Sequence, residues 1–487
     1  MIVLKDILYK VPLEKVVGNT SVAITNIEFD SRKVGLNDVF VAIKGTQSDG
    51  HEFIKMASEK GAIAIVCETL PELIINGITY VQVKDSQEAL ARIAANFYEN
   101  PSESLQLVGV TGTNGKTTIS SLLFELFKNA GFKTGLLSTV TIKVDNKVYP
   151  ATHTTPDSLT LNKYLREMVD AGVTYCFMEV SSHGIHQKRT DALKFAGGIF
   201  TNLTHDHLDY HKDFKEYRDV KKLFFDQLPK SAFALTNADD KNGLVMLQNT
   251  VAKKYTYALK SMADYKAQIL ENQFTGLLLK INTHELWVKL IGNFNAYNVL
   301  AIYAASDLLG LNTLETLQLI SALESVKGRF QYSVSSKNIT AIVDYAHTPD
   351  ALKNVLETIN AIRTGNERLI TVVGCGGNRD AEKRPKMGNI AAALSTKVIF
   401  TSDNPRNEDP ESIIMAIEKG VSPENYKKTL SITDRKQAIK TACQMANEGD
   451  IILIAGKGHE TYQEIKGERF DFDDFKIVNQ LLTDLHK

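Results

Sequence analysis

The chain has 487 residues, 43% of them apolar and 23% charged, with a formal net charge of −1. That length exceeds one core and predicts about three domains, and near-neutral charge excludes the basic field that recruits nucleic acid or an anionic membrane. No apolar run is long enough to span a bilayer, and the first sixteen residues carry charges too early for a signal peptide. Cys67, Cys176, Cys375 and Cys443 show no CxxC spacing and read as small apolar fillers in a reducing compartment. A cytoplasmic monomer is expected, with neither a nucleic-acid nor a membrane partner.

In chain order, residues 1–100 mix strand-like runs (24–29, 39–43, 62–66, 79–83) with helical patterns near 53–60 and 86–98. Asn100-Pro101 marks a boundary, because the residue before proline is pushed out of helical geometry. Residues 101–333 alternate strand and helix as in a mostly parallel sheet, with strands at 106–110, 174–180, 197–203 and 233–237. Asp157 can cap a helix that Gly172 ends. Residues 334–487 form a third alternating region with strands at 340–344, 369–373, 398–401 and 451–455. The predicted class is α/β in three domains, the middle one carrying a phosphate-binding loop and the last Rossmann-like.

The most informative segment is Gly112-Thr113-Asn114-Gly115-Lys116-Thr117-Thr118, between a short apolar run and a helical pattern. Strand, glycine-rich loop and helix in that order bring backbone N–H groups to bear on phosphate oxygens. Lys116 can then reach the terminal phosphates of a nucleoside triphosphate, and Thr117 can ligate Mg²⁺. The strict pattern wants glycine five positions before Gly115 and finds Val110; Gly112 supplies the flexible turn instead. Glu179 ends a buried-looking strand, where ligands collect in open α/β sheets and a carboxylate can hold Mg²⁺. The His- and Asp-rich run 201–211 reads alone as a transition-metal site or a solvated polar loop. Its place after a phosphate loop favours a second divalent-cation site.

Together, Gly112–Thr118, residues 178–184, Asn202 with residues 206–209, and Gly328-Arg329-Phe330 resemble the signature series of the Mur ligases, ATP-dependent enzymes that build the peptide stem of the peptidoglycan precursor. The resemblance runs in order over almost the whole chain. It implies that ATP phosphorylates a substrate carboxylate, and that an amine attacks the resulting acyl phosphate. Lys116 and Mg²⁺ would neutralise the meeting anions, with Arg329 beside the moving phosphoryl group. By resemblance, Asn298 contacts adenine, Asp344 contacts ribose, and Lys221 is carbamylated and binds magnesium with Thr117, Glu179 and His207. By spacing alone Lys221 is an ordinary surface lysine.

Within the family, Ser31 and the loop Thr46-Gln47-Ser48 resemble the uridine-diphosphate pocket of the enzymes that add the third stem residue. His153, Thr154, Thr155, Ser181, Gln187 and Arg189 resemble their muramoyl-peptide contacts. Arg379, Arg406 and Glu460 each follow a strand and can converge on a crevice for a carboxylate-rich amino acid. Asp403-Asn404-Pro405-Arg406, with Gly456 and Glu460, resembles the motif of diaminopimelate-adding enzymes. L-Lysine would set an ammonium against Arg406, whereas meso-2,6-diaminopimelate presents an amino-carboxylate. The substrates implied are UDP-N-acetylmuramoyl-L-alanyl-D-glutamate and meso-2,6-diaminopimelate. The alternatives are the same reaction with L-lysine, a folylpolyglutamate-synthase-like ligase, and a nucleotide-switched binding module. A surface ion pair of Arg406 with Glu408 or Asp409 is the structural alternative for the arginine.

Overall fold

A computed structural model describes residues 2–45, 48–204 and 210–487. Its three larger sheets follow one another along the chain. The first runs Leu13–Val17, Thr79–Val83, Ala64–Cys67, Val39–Val41, Ile27–Glu28, parallel except for its first pair. Val39–Val41 and Ala64–Cys67 are buried at every position, as a parallel sheet covered on both faces requires. Leu13–Val17 is exposed along most of its length and closes the edge with Glu14 and Lys15. Asp85 starts the helix Ser86–Phe97 by accepting from the Glu88 N–H at 2.9 Å.

The strand expected at 24–29 is instead two. Ala23–Ile24 pairs with Ile2–Val3, and Ile27–Glu28 joins the larger sheet. Between them Thr25 N–H donates to Asn37 O and Asn26 O accepts from Val39 N–H, so the backbone changes partner.

The second sheet has eleven strands in the order Lys147–Pro150, Thr141–Val144, Thr134–Leu137, Tyr175–Glu179, Gln106–Thr111, Gly197–Phe200, Phe233–Asn237, Lys253–Ala258, Tyr265–Gln273, Gly276–Ile281, His284–Val288. Its centre is parallel and both ends are antiparallel. The register sets Glu179 opposite Val110 and Phe200 opposite Thr111. The carboxyl ends of three adjacent strands therefore lie level, with the middle strand feeding the glycine-rich loop. The helix Lys116–Asn129 buries Ile119, Leu122, Leu123, Leu126 and Phe127 against this sheet and the helix Asn293–Leu308. Asp157 caps Ser158–Asp170, accepting from Thr160 N–H at 2.9 Å, and Gly172 follows at φ +76°.

The third sheet runs Gln331–Val334, Thr340–Asp344, Ile451–Ala455, Leu369–Val373, Lys397–Phe400, Thr429–Ser431, parallel after its first pair. Asp344 and Val373 both lie opposite Ala455, and Val373 lies opposite Phe400, so four strand ends again share one edge. Beneath that edge is a fully buried ion pair. Arg435 binds Asp474 through two nitrogens, at 2.9 and 2.7 Å, and donates to Ala455 O at 3.1 Å. Asp474 opens the last helix, Asp474–Asp484, so the pair ties that helix to a strand end.

Removing one partner of a buried pair strands the other's charge, at a cost of about 3–5 kcal/mol. Asp474→Ala should therefore accelerate amide hydrogen exchange in Ile451–Ala455, and the double change Arg435→Met, Asp474→Leu should recover most of the protection. Exchange in Asp474→Ala equal to wild type would refute this account of the edge.

Candidate functional site

The glycine-rich loop is shaped largely by the strand end beside it. Thr201 Oγ1 donates to Asn114 O at 2.6 Å, Asn202 O accepts from Thr113 N–H at 2.8 Å, and Asn202 Oδ1 accepts from Asn114 N–H at 3.0 Å. This engagement ends the strand expected at 197–203 after Phe200. Gly112 sits at φ +143°, and a Cβ there would stand 1.9 Å from Thr201 Oγ1 and 2.9 Å from Asn202 O. No side chain fits.

Lys116 Nζ donates to Gly112 O at 3.0 Å and Thr113 O at 2.8 Å. Thr117 and Thr118 begin the helix as buried residues. Lys221 is not the surface lysine its spacing suggests. It is 1% exposed, on the inner face of the helix Phe214–Asp226, with Nζ donating to Gly112 O at 3.0 Å and lying 4.9 Å from the Tyr217 ring centroid. Its neighbour Lys222 pairs instead with Asp226 at 2.7 Å. Glu179 is 1% exposed; Oε1 accepts from Thr139 N–H at 2.8 Å, and Oε2 is 3.1 Å from Thr139 Oγ1. Thr139, which the sequence does not single out, also lies 3.0 Å from Thr154 Oγ1. Among the described residues no group of three or more His, Cys, Asp and Glu side chains is assembled as for a metal. His207 lies outside the described residues, as do Thr46 and Gln47.

Thr155, Ser181, Gln187 and Arg189 form one network. Thr155 Oγ1 and Ser181 Oγ are 3.0 Å apart, Arg189 donates to Thr155 O at 2.6 Å, and two Arg189 nitrogens meet Gln187 Oε1 at 3.0 and 2.6 Å. His153 is exposed two residues away. Next to this network Lys188 pairs with Asp85 and Glu88 at 2.9 and 2.7 Å, joining it to the helix Ser86–Phe97. In the first sheet's region Ser31 is buried and Ser48 exposed.

Arg329 connects the second and third sheets. Its Nη2 donates to Thr117 Oγ1 at 3.1 Å, and its guanidinium lies 4.5 Å from the Tyr345 ring centroid. Asp344 closes this turn, accepting from Phe330 N–H at 2.6 Å and Ala346 N–H at 2.8 Å. Burial pushes its carboxyl above the usual range, and Arg329 partly offsets that. Gly328 adopts φ +67°, with a Cβ position 2.0 Å from His459 N, so the junction packs directly on the 456–460 loop. Burial first, and the Arg329 charge second, pull His459 down to about 3. Asn298 faces the phosphate loop, its Oδ1 2.8 Å from where a Gly115 Cβ would be.

At the third sheet's edge, Arg406 takes a left-handed conformation at φ +51°, unusual for a branched-free cationic side chain and a mark of local strain. The hairpin Tyr462–Ile465, Glu468–Asp471 holds it there: Arg406 N–H donates to Glu464 O and Arg406 O accepts from Lys466 N–H, at 3.1 and 2.7 Å. Its side chain donates to Gly377 O at 2.8 Å and lies 3.6 Å from Glu464 Oε2. The pair with Glu408 or Asp409 does not form. Glu408 binds Arg384 at 2.9 Å, and Asp409 caps the helix Pro410–Glu418.

A Cβ on Gly376 would lie 3.0 Å from Arg406 Nη1 and 3.8 Å from Arg379 Cγ, so the two arginines flank that glycine, with Arg379 exposed. Asp403, Asn404 and Pro405 are buried, and Gly456 sits close to Asp403 Oδ2. Asn404 Nδ2 donates to Glu460 at 2.7 Å. Burial, then the Asp403 carboxylate, raises Glu460 above the usual carboxylate range. The sequence passes over Lys457, which is completely buried between Asn404 and Glu460. A lysine inside a Gly-Lys-Gly run carries no pattern that would mark it as buried.

Family models match three stretches: the Mur ligase family catalytic domain over residues 23–98, the Mur ligase middle domain over 110–306, and the Mur ligase glutamate ligase domain over 328–458. The chain is 57% identical over 485 residues to UDP-N-acetylmuramoyl-L-alanyl-D-glutamate--2,6-diaminopimelate ligase of Cytophaga hutchinsonii, covering 99% of this chain and 100% of that one. It is 54% identical over 480 residues to the protein of the same name from Bacteroides thetaiotaomicron, with 99% and 100% covered. A solved structure of a ligase of that name superposes with a TM-score of 0.71 at 31% identity, covering 100% and 99% of the two chains.

The fit at Gly112 yields a direct check. Gly112→Ala should weaken ADP binding by about tenfold or more, equivalent to about 1.4 kcal/mol, measured by titration calorimetry. Wild-type affinity in that variant would contradict the packing described.

Proposed function

The chain belongs to the Mur ligase family, and on that premise we propose that it joins meso-2,6-diaminopimelate to UDP-N-acetylmuramoyl-L-alanyl-D-glutamate at the expense of ATP, in peptidoglycan precursor synthesis. We assign the UDP-sugar to residues 1–100, ATP to 101–333 and the amino acid to 334–487. The observation that carries the amino-acid assignment is Arg406, held at φ +51° by a hairpin and facing Arg379 across Gly376. Two guanidinium groups on the strand edge that also carries Glu460 suit a ligand with carboxylates and an ammonium. L-Lysine would bring an ammonium to the arginines.

In this reading Lys116 and the loop N–H groups hold the triphosphate. Arg329, within reach of Thr117, meets the charge that develops as phosphoryl passes to the substrate carboxylate. The acyl phosphate gives the carbonyl a leaving group, and the amine displaces phosphate. Thr155, Ser181, Gln187 and Arg189 position the peptide end of the UDP precursor, and Thr155 also donates to the backbone O of the buried Glu179 at 3.0 Å. Glu179, Thr117 and Lys221 suit Mg²⁺, since a buried carboxylate and a hydroxyl are hard oxygen donors beside the phosphate loop. Carbamylation would convert Lys221 from a cation to a third oxygen donor. The metal would neutralise phosphate charge. Asn298 and Asp344 are assigned to adenine and ribose, and Ser31 with the 46–48 loop to uridine diphosphate.

Phosphate release measured with each amino acid tests the reaction: it should require the UDP precursor and meso-diaminopimelate together. Arg406→Ala should raise the KM for diaminopimelate by roughly 30- to several-thousand-fold, the effect of about 2–5 kcal/mol lost from a buried charge-assisted pair. The KM values for ATP and the UDP precursor should hardly move. A wild type that prefers L-lysine, or an unchanged diaminopimelate KM, rejects the specificity.

For Lys221, replacement by alanine should lower kcat about a hundredfold or more, with partial rescue by short-chain carboxylic acids. Full activity of wild type in CO₂-depleted buffer, with an unmodified lysine by intact-protein mass spectrometry, rejects the carbamate.

A further inference from the structure

Lys457 has no place in the reaction just described, yet its side chain is 0% exposed, directly under the amino-acid edge. Burying an ammonium without compensation is costly. Here Nζ donates to Asn404 Oδ1 at 2.9 Å and to Glu460 Oε2 at 3.2 Å, and lies 5.6 Å from the Tyr462 ring centroid. Asn404 Oδ1 also accepts from Glu464 N–H at 2.9 Å, while Asn404 Nδ2 donates to Glu460 Oε2 at 2.7 Å. Flipping the amide would set Nδ2 against two donors and Oδ1 against a carboxylate. The ammonium, together with the Glu464 N–H and the Glu460 carboxylate, therefore sets which way Asn404 points. Both Lys457 and Asn404 reach the same oxygen of Glu460, Oε2, so neither of these bonds uses Oε1.

We propose that Lys457 is a positioning residue for amino-acid recognition: it orients Asn404 and supplies the counter-charge that keeps Glu460 an anion for the incoming ammonium. The proposal rests on the assignment of this edge to the diamino acid. The charge balance supports it. Glu460 is faced by Asp403, Lys457, Tyr345, Tyr462 and Arg435. Burial and Asp403 raise its carboxyl, whereas Lys457 and then Asn404 lower it. Without Lys457 it rises further, so the neutral acid persists to higher pH and the ammonium loses its partner as pH falls.

The test uses the full chain and two variants. Lys457→Gln keeps donors without charge, and Lys457→Met removes both. The KM for meso-diaminopimelate is measured from pH 6 to 9, with ATP and UDP-precursor KM values and melting temperature as checks of folding. At pH 7 the diaminopimelate KM should rise about 10- to 100-fold, the range of a hydrogen bond to a charged group. It should climb further toward acid pH, by up to about a decade per unit and more steeply than in wild type. Lys457→Arg should return part of the affinity and flatten the profile. If Lys457→Met does not fold, Lys457→Gln decides alone. An unchanged KM, or a rise equal at every pH, overturns the proposal. A wild type that releases no phosphate with meso-diaminopimelate overturns the assignment of the edge, and the proposal with it.

Discussion

The clasp between Thr113-Asn114 and the pair Thr201, Asn202 is the constraint on which the rest of the arrangement depends. A glycine-rich loop is entropically expensive to hold in one shape. Here three hydrogen bonds of 2.6–3.0 Å from a neighbouring strand end hold it, and Gly112 fits because no Cβ intervenes. The clasp exists because the parallel register brings Phe200 level with Thr111. The same register brings Glu179 level with Val110 on the other side. Register, set by buried apolar strands, thus places polar groups that those strands do not themselves contain.

A second edge is built by the same logic and joined to the first at Gly328 and Arg329. Arg329 reaches Thr117 on the phosphate-loop helix, while Gly328 leaves room for the backbone of His459. The residue next in sequence is Glu460, at the carboxyl edge of the third sheet. One short loop therefore touches the junction that bears Arg329 and carries the acid at the third sheet's edge. No long chain of contacts is needed to relate the two edges, because they share backbone.

Much of this was legible in the sequence where a buried run or a glycine signature carries the information. Phe233–Asn237, Thr340–Asp344, Leu369–Val373 and Ile451–Ala455 fall where their continuous apolar runs predict. The antiparallel ends of the second sheet were not legible in that way. Tyr265–Gln273 buries Ala267 and little else, and Lys147–Pro150 is mostly exposed, so neither stands out from a polar loop. Lys221 shows a different limit: spacing marks a lysine on a helix, but only packing reveals that it faces Tyr217 and Gly112. Lys457 was missed for the same reason, since burial of a charge is a property of its partners, which lie 53 and 3 residues away.

Those partners also explain why the third region can hold two buried cations at one edge without their roles merging. Arg435 is matched by Asp474, which lies on the last helix and is fully enclosed with it, so that pair is closed and ties backbone to backbone. Lys457 is matched by Glu460, which is only half-buried and shares its oxygen with Asn404. A closed pair stabilises geometry but has nothing left to offer a ligand. A pair with one member less enclosed leaves that carboxylate partly reachable from solvent while its charge is already partly balanced. Arg406 follows the same division on the opposite sign: Glu464 stands 3.6 Å away, beyond hydrogen-bond reach of the guanidinium nitrogen, so the arginine is balanced in charge without being enclosed in a hydrogen-bonded pair.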